Sequence, residues 1–169
     1  MSRWGLMAGV LLLPAVLGGC GFAPLYSDAA GQETALGQVN VALIPDRNGQ
    51  LLRQALQDRL DRTGGGVSSR YDLYVGLGFN VNELATDQQS ASTRERDIGT
   101  AAWTLKAEDA GHTTLSTGTA HALDGFDIIN QQFFAADMSR EAALQRIDES
   151  LADQIVQQLA VYFRQHPPS

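Results

Sequence analysis

Few residues in this 169-residue chain combine the type and spacing that chemistry requires. One thiol, Cys20, sits directly behind the apolar run LLLPAVLGG. A lone thiol can be alkylated or can attack as a thiolate, but it has no second cysteine for a disulfide. Two arginines, Arg94 and Arg96, alternate within STRERD, and the only lysine, Lys106, lies farther along the same stretch. The arginine fork matches phosphate oxygens. The histidines, His112, His121 and His166, are scattered. A metal site needs several ligands held close together, and His121 with Asp124 and Asp127 is the nearest approach. The sequence has no nucleophile elbow and no phosphate loop. We therefore expect no catalytic set, no metal and no cofactor.

The setting of Cys20 says which use of the thiol applies. MSRW carries one positive charge, Arg3, and an apolar run from Leu6 to Leu17 follows. That is the pattern of a secretory signal, and the run is too short to span a bilayer. Leu17-Gly18-Gly19-Cys20 resembles the lipobox of bacterial lipoproteins. The resemblance implies diacylglyceryl transfer to Cys20 and cleavage just before it. An ordinary signal with an incidental cysteine, or a short membrane anchor, is the plainer alternative. Each buried methylene is worth about 0.8 kcal/mol, so two or three chains make a lasting tether. Gly21, in place of an aspartate after the cysteine, implies the inner leaflet of a Gram-negative outer membrane. The resulting division is a signal at 1–19, a lipidated tether at 20–37 and one domain at 38–169.

Composition narrows the partners. Twelve basic residues stand against 19 acidic ones, for a net charge of −7. Loss of Arg3 with the signal makes the mature chain one unit more negative. Nucleic-acid binders are basic, so no nucleic acid is expected. An anionic lipid headgroup would have to meet a local patch. No later segment is apolar enough to cross a membrane.

The elements that must position these residues follow from periodicity. QVNVALI, residues 38–44, places Val39, Val41 and Leu43 on one side of a short strand. A helix follows at roughly 49–62, with Leu52, Ala55, Leu56 and Leu60 as its stripe, Asn48 as N-cap and Gly64-Gly65-Gly66 as its stop. In YDLYVGLGFNV, Tyr71, Leu73, Val75, Leu77, Phe79 and Val81 alternate with small or polar residues. ATDQQSAST, residues 85–93, reads as a loop. Residues 94–107 place Ala101, Trp103, Leu105 and Ala107 on one face and Arg94, Arg96, Thr100, Thr104 and Lys106 on the other. Asp109-Ala110-Gly111-His112 makes a hairpin turn with Gly111 as its permissive residue, and residues 113–123 form a Thr-rich strand. DGFDIINQQFFAAD reads as irregular, anchored by Phe126, Phe133 and Phe134. Ser139 then caps a long last helix with Leu144, Ile147, Leu151, Ile155 and Leu159 inward. The order β-α-β-β-β-α gives an α+β fold: two helices on one face of a four-stranded mixed sheet, the other face polar and uncovered. The first strand must pair across the helical crossover, in parallel.

With these pieces in order, the chain resembles the LPS-assembly lipoprotein family, LptE. The features are CGFAPLY after the lipobox, NGQLLRQALQDRL, YDLYVGLGFNV, TRERDIGTAAWTLKA, GFDIINQQFFA and the final helix EAALQRIDESLADQIVQQLAVYF. The resemblance implies a non-enzymatic plug in the lumen of the outer-membrane β-barrel LptD, aiding barrel assembly and passage of lipopolysaccharide to the outer leaflet. It also implies direct lipopolysaccharide contact, for which Arg94, Arg96 and Lys106 are the candidates. The plainer reading of Arg94 and Arg96 is a solvated pair balanced by Glu95 and Asp97, or contact with the barrel wall. Residues 124–138 add only acids, and the family's basic residues do not map here position by position. The rival function is a stand-alone periplasmic lipoprotein that binds a lipid or solute, which would need an enclosed apolar pocket.

Overall fold

The computed structural model describes residues 35–61, 68–86, 92–127 and 133–167. Cys20, the stretch 20–34 and the Gly64–Gly66 stop lie outside the described residues. Four strands form one sheet in the order β1-β2-β3-β4: β1 Val39–Val41, β2 Tyr71–Thr86, β3 Ser92–Ala107 and β4 Thr114–Asp127. Helix α1, Arg47–Asp61, links β1 to β2, and helix α2, Phe133–Gln165, follows β4. β1 pairs with β2 in parallel, as a strand returning through a helical crossover can. β2, β3 and β4 form an antiparallel meander. Both helices cover one face, as the alternation requires.

The strand ends show where pattern and structure part. The N–H of Ala42 still bonds Leu73 O, but β1 has ended. Leu43 is then 76% exposed while Ile44 is fully buried. The apolar period of two thus stops one residue before Leu43. Ala35 and Leu36 are buried, so the packed body begins ahead of Val39, within the stretch read as tether. At the head of α1, Asp46 adopts φ 67° and its carbonyl accepts the Gln50 N–H. Asp46 is therefore the cap, and Asn48 lies in the first turn. In the β3–β4 turn it is His112, not Gly111, that takes positive φ. The Asp109 carboxylate closes that turn by accepting the N–H groups of Gly111 and Thr113. Those bonds hold its carboxyl below the ordinary value.

The core is the helix-facing side of the sheet. Leu73, Val75, Ala101, Trp103, Leu105 and Ala120 meet Leu52, Leu56 and Leu60 of α1 and Ile147, Leu151, Ile155, Leu159 and Phe163 of α2. Each fully buried large side chain contributes about 2 kcal/mol of transfer free energy. Two glycines permit the close approach. A Cβ on Gly99 would come within 2.5 Å of Ile147 Cγ2, and one on Gly118 within 2.5 Å of Trp103 Cζ2. Gly118 is the register partner of Trp103 on β4, so its missing side chain makes room for the indole.

Helix α2 starts at Phe133, six residues before the expected cap. Ser139 is inside it, and its hydroxyl donates to Ala135 O one turn back. Phe126 is buried as an anchor, but Phe134 is 81% exposed. The side chain of Phe133 is outside the described residues. α1 and α2 run parallel: Arg47 pairs with Glu141 and Arg59 with Asp153, the same sequence offset at both ends.

Candidate interface

The bare face of the sheet is the first candidate surface. Alternation sends Tyr74, Gly76, Gly78 and Asn80 of β2, Arg96 and Ala102 of β3, and Thr117, Thr119, His121 and Leu123 of β4 away from the helices, and all are exposed. Small and polar side chains dominate, so the surface is flat and offers donors and acceptors rather than an apolar pocket. Long strands make it large: β2 and β3 have 16 residues each and β4 has 14. Among the described residues, nothing packs on it.

The basic residues separate. Arg96 is exposed on this face, between Asn82 and Gly125 in register. The backbone of Arg94 pairs with Ala85 and Asp127, and its side chain lies outside the described residues. Lys106 sits ten positions beyond Arg96, about 33 Å along a strand, so the two do not form one site. Its ammonium lies 5.1 Å from the Tyr74 ring centroid, and Asp72 is its register neighbour. Lys106 is thus held in a cation–π contact at the far end.

Asp97 cannot balance Arg96, because it faces the opposite way. Its side chain is fully buried, with Arg140 Nε 3.7 Å away and no hydrogen-bond partner for either oxygen. Asp124, its register partner on β4, is ion-paired with Arg146. The Arg146 hydrogen bond holds the Asp124 carboxyl below its usual value. Two arginines of α2 therefore sit over two cross-strand carboxylates. The parity that placed Trp103 inward also placed Asp97 inward, so this signal was present in the sequence.

The histidine constellation does not assemble. His121 lies on the bare face, its Nδ1 3.2 Å from Thr100 Oγ1, while Asp124 turns to the helix side. The side chain of Asp127 is outside the described residues. Among the described residues no group of three or more His, Cys, Asp and Glu could hold a metal.

A third feature has no obvious sequence signal. Along the outer edge of β4, Gln154 Nε2 donates to His121 O at 2.9 Å and Gln158 Nε2 to Thr119 O at 3.1 Å. Gln158 Oε1 accepts the Trp103 indole N–H at 2.8 Å. Helix α2 thereby covers part of a strand edge that would otherwise offer free backbone groups. Beside it a groove of about 490 Å³ runs between Ser116 and Thr117 and the helix residues Gln157, Val161 and Tyr162.

Comparison with known proteins joins these features to a family. No curated protein sequence matches. A structure of a candidate lipoprotein from Caulobacter crescentus CB15 is similar with TM-score 0.63 and 23% identity, over 80% of this chain and 97% of that one. Rare lipoprotein B from Shewanella oneidensis gives TM-score 0.57 and 11% identity, over 76% and 96%. A minor lipoprotein from Acinetobacter baumannii gives 0.56 and 15%, over 78% and 94%. At these identities the likeness is one of fold. The model of the family described as LptE, lipopolysaccharide-assembly, matches residues 36–159, from the buried turn before β1 nearly to the end of α2. The chain belongs to the LptE lipopolysaccharide-assembly family.

Proposed function

We propose that this chain is a non-enzymatic lipoprotein, tethered through Cys20 at the periplasmic face of the outer membrane. It fills the lumen of the LptD β-barrel, supports assembly of that barrel and assists insertion of lipopolysaccharide into the outer leaflet. The observation that carries this reading is the bare sheet face. Barrel lumens are polar, and a broad face of Thr, Asn, Gly and His matches such a wall through hydrogen bonds without a large apolar surface to desolvate. The opposite side supports a solid body: Leu73, Leu105, Leu151 and Ile155 are fully buried where helices meet sheet. A stand-alone lipid or solute carrier would need an enclosed apolar space there. Arg96 at one end of the face, with Arg94 beside it in sequence, is the lipopolysaccharide contact we assign. Lys106 contacts the barrel at the other end.

Gentle solubilisation of membranes followed by affinity recovery of this chain tests the reading. A stoichiometric β-barrel of large mass is the expected companion. Recovery as a free monomer would overturn the plug and favour the lone carrier. Cys20→Ala is expected to abolish acyl labelling, and persistent labelling would refute the anchor. For the basic pair, Arg94→Asp with Arg96→Asp is expected to weaken lipopolysaccharide binding by the purified chain. Unchanged binding would remove both residues from the contact.

A further inference from the structure

The two helices meet along a seam built on three- and four-residue steps. Arg47, Leu51, Ala55 and Arg59 run down α1, and Gln145, Asp148 and Ala152 run down the facing side of α2. An ion pair closes each end, Arg47 with Glu141 and Arg59 with Asp153. Between them, Ala55 is too small to fill the space. A groove of about 400 Å³ remains, with Leu51, Gln54 and Gln145 among its walls. Asp148 lies against this groove, 1% exposed, and neither of its carboxylate oxygens has a hydrogen-bond partner.

The charges around it give no relief. From α1 the groove receives Asp58 and Arg59, and from α2 Glu149. Arg59 is committed elsewhere: Nε donates to Asp153 Oδ1 at 2.6 Å, Nη1 to Ala55 O at 3.0 Å and Nη2 to Glu149 O at 3.3 Å. A carboxylate held there would be desolvated without a hydrogen-bond partner, whereas a carboxylic acid would be tolerated. We propose that this seam is a proton-operated joint: neutral Asp148 lets α1 close on α2, and ionised Asp148 loosens α1.

The direction follows from linkage. Burial pushes the Asp148 carboxyl from 3.8 up to about 7. The closed chain then holds a proton that an opened or unfolded chain gives up. Stabilisation from this group is full below about pH 4 and is lost as pH rises through about 7.

Hydrogen exchange on the full mature chain in detergent, at pH 5.5 and pH 8 and corrected for intrinsic rates, tests the joint. Protection of the α1 amides from Leu51 to Leu60 is expected to fall about tenfold or more at the higher pH. Asp148→Asn is expected to abolish that fall, and Glu149→Gln to keep it. Equal α1 protection at both pH values, or the same fall in Asp148→Asn, would overturn the proposal. Should Asp148→Asn fail to accumulate, carbon-13 titration of the wild-type Asp148 carboxyl decides: a midpoint near 7 is expected, and one at or below 4 overturns the joint.

Discussion

Helix α2 makes two seams, and they treat polar groups in opposite ways. Toward β4, the amides of Gln154 and Gln158 meet backbone carbonyls and an indole N–H. Toward α1, Asp148 meets nothing. A glutamine carries both a donor and an acceptor and no charge, so it can satisfy a strand edge at any pH. A carboxylate only accepts, and it can become neutral only by taking a proton. One seam is therefore fixed and the other is conditional on pH. The difference lies in side-chain chemistry and not in packing, because both seams rest on the same apolar stripe.

That shared stripe gives the largest expected effect. Leu151→Ala removes a fully buried side chain over β3, where its Cδ1 lies 3.2 Å from the place a Gly99 Cβ would take. Urea unfolding is expected to show a loss of about 2–5 kcal/mol, equal at pH 5 and pH 8. A pH-dependent loss would mean that the seams do not share a common floor. Next comes Asp148→Asn, with the opposite sign. The raised carboxyl costs the wild type stability as pH climbs from about 4 through about 7, and asparagine escapes that cost. The variant is expected to gain on wild type by about 2 kcal/mol between pH 5 and pH 8. A constant difference between the two proteins would erase the contrast.

Gln158→Ala ranks third. It leaves Trp103 Nε1 and Thr119 O without their protein partners. The site is half-buried, so water recovers part of the loss, and about 1–2 kcal/mol is expected at every pH. Thermal unfolding at pH 5 and pH 8 would check this. A loss confined to one pH would move the pH-sensitive seam to the β4 side.

Most of the frame was legible because alternation and stripes are strong signals. Tyr71 to Val81 and Ala101 to Ala107 fixed which face of the sheet is covered, and Leu52, Leu56 and Leu60 fixed α1. Single residues at element ends were not legible. Leu43 continues the period by type, yet the ladder stops at Ala42 and Ile44 takes the buried place. Ser139 has the chemistry of a cap, but the helix had already begun at Phe133. Asp97 followed from parity, but its charged neighbours made it read as a solvated partner of Arg94 and Arg96, whereas it is fully buried. Asp148 is different in kind. It is offset by one residue from the Ile147 stripe, and only the placement of α1 decides whether that offset faces water or a neighbour. The anchor proposed at Cys20 is argued from local sequence, since Cys20 lies outside the described residues.

The smallest effect belongs to the end of the α1–α2 seam. Arg47 and Glu141 form an ion pair whose side chains are 77% and 50% exposed. Water screens such a pair, and ordering two long side chains offsets much of the attraction. Arg47→Ala is expected to cost under about 1 kcal/mol at low salt and close to nothing in 1 M NaCl, where screening acts within about 3 Å. Arg59 at the other end has a side chain only 21% exposed and three acceptors, so Arg59→Ala should cost more under either condition. This asymmetry makes the Arg59 end the firmer of the two ionic contacts between α1 and α2. Urea midpoints of the two variants at both salt levels check it. Equal losses would mean that burial of Arg59 and its extra acceptors add nothing to its ion pair.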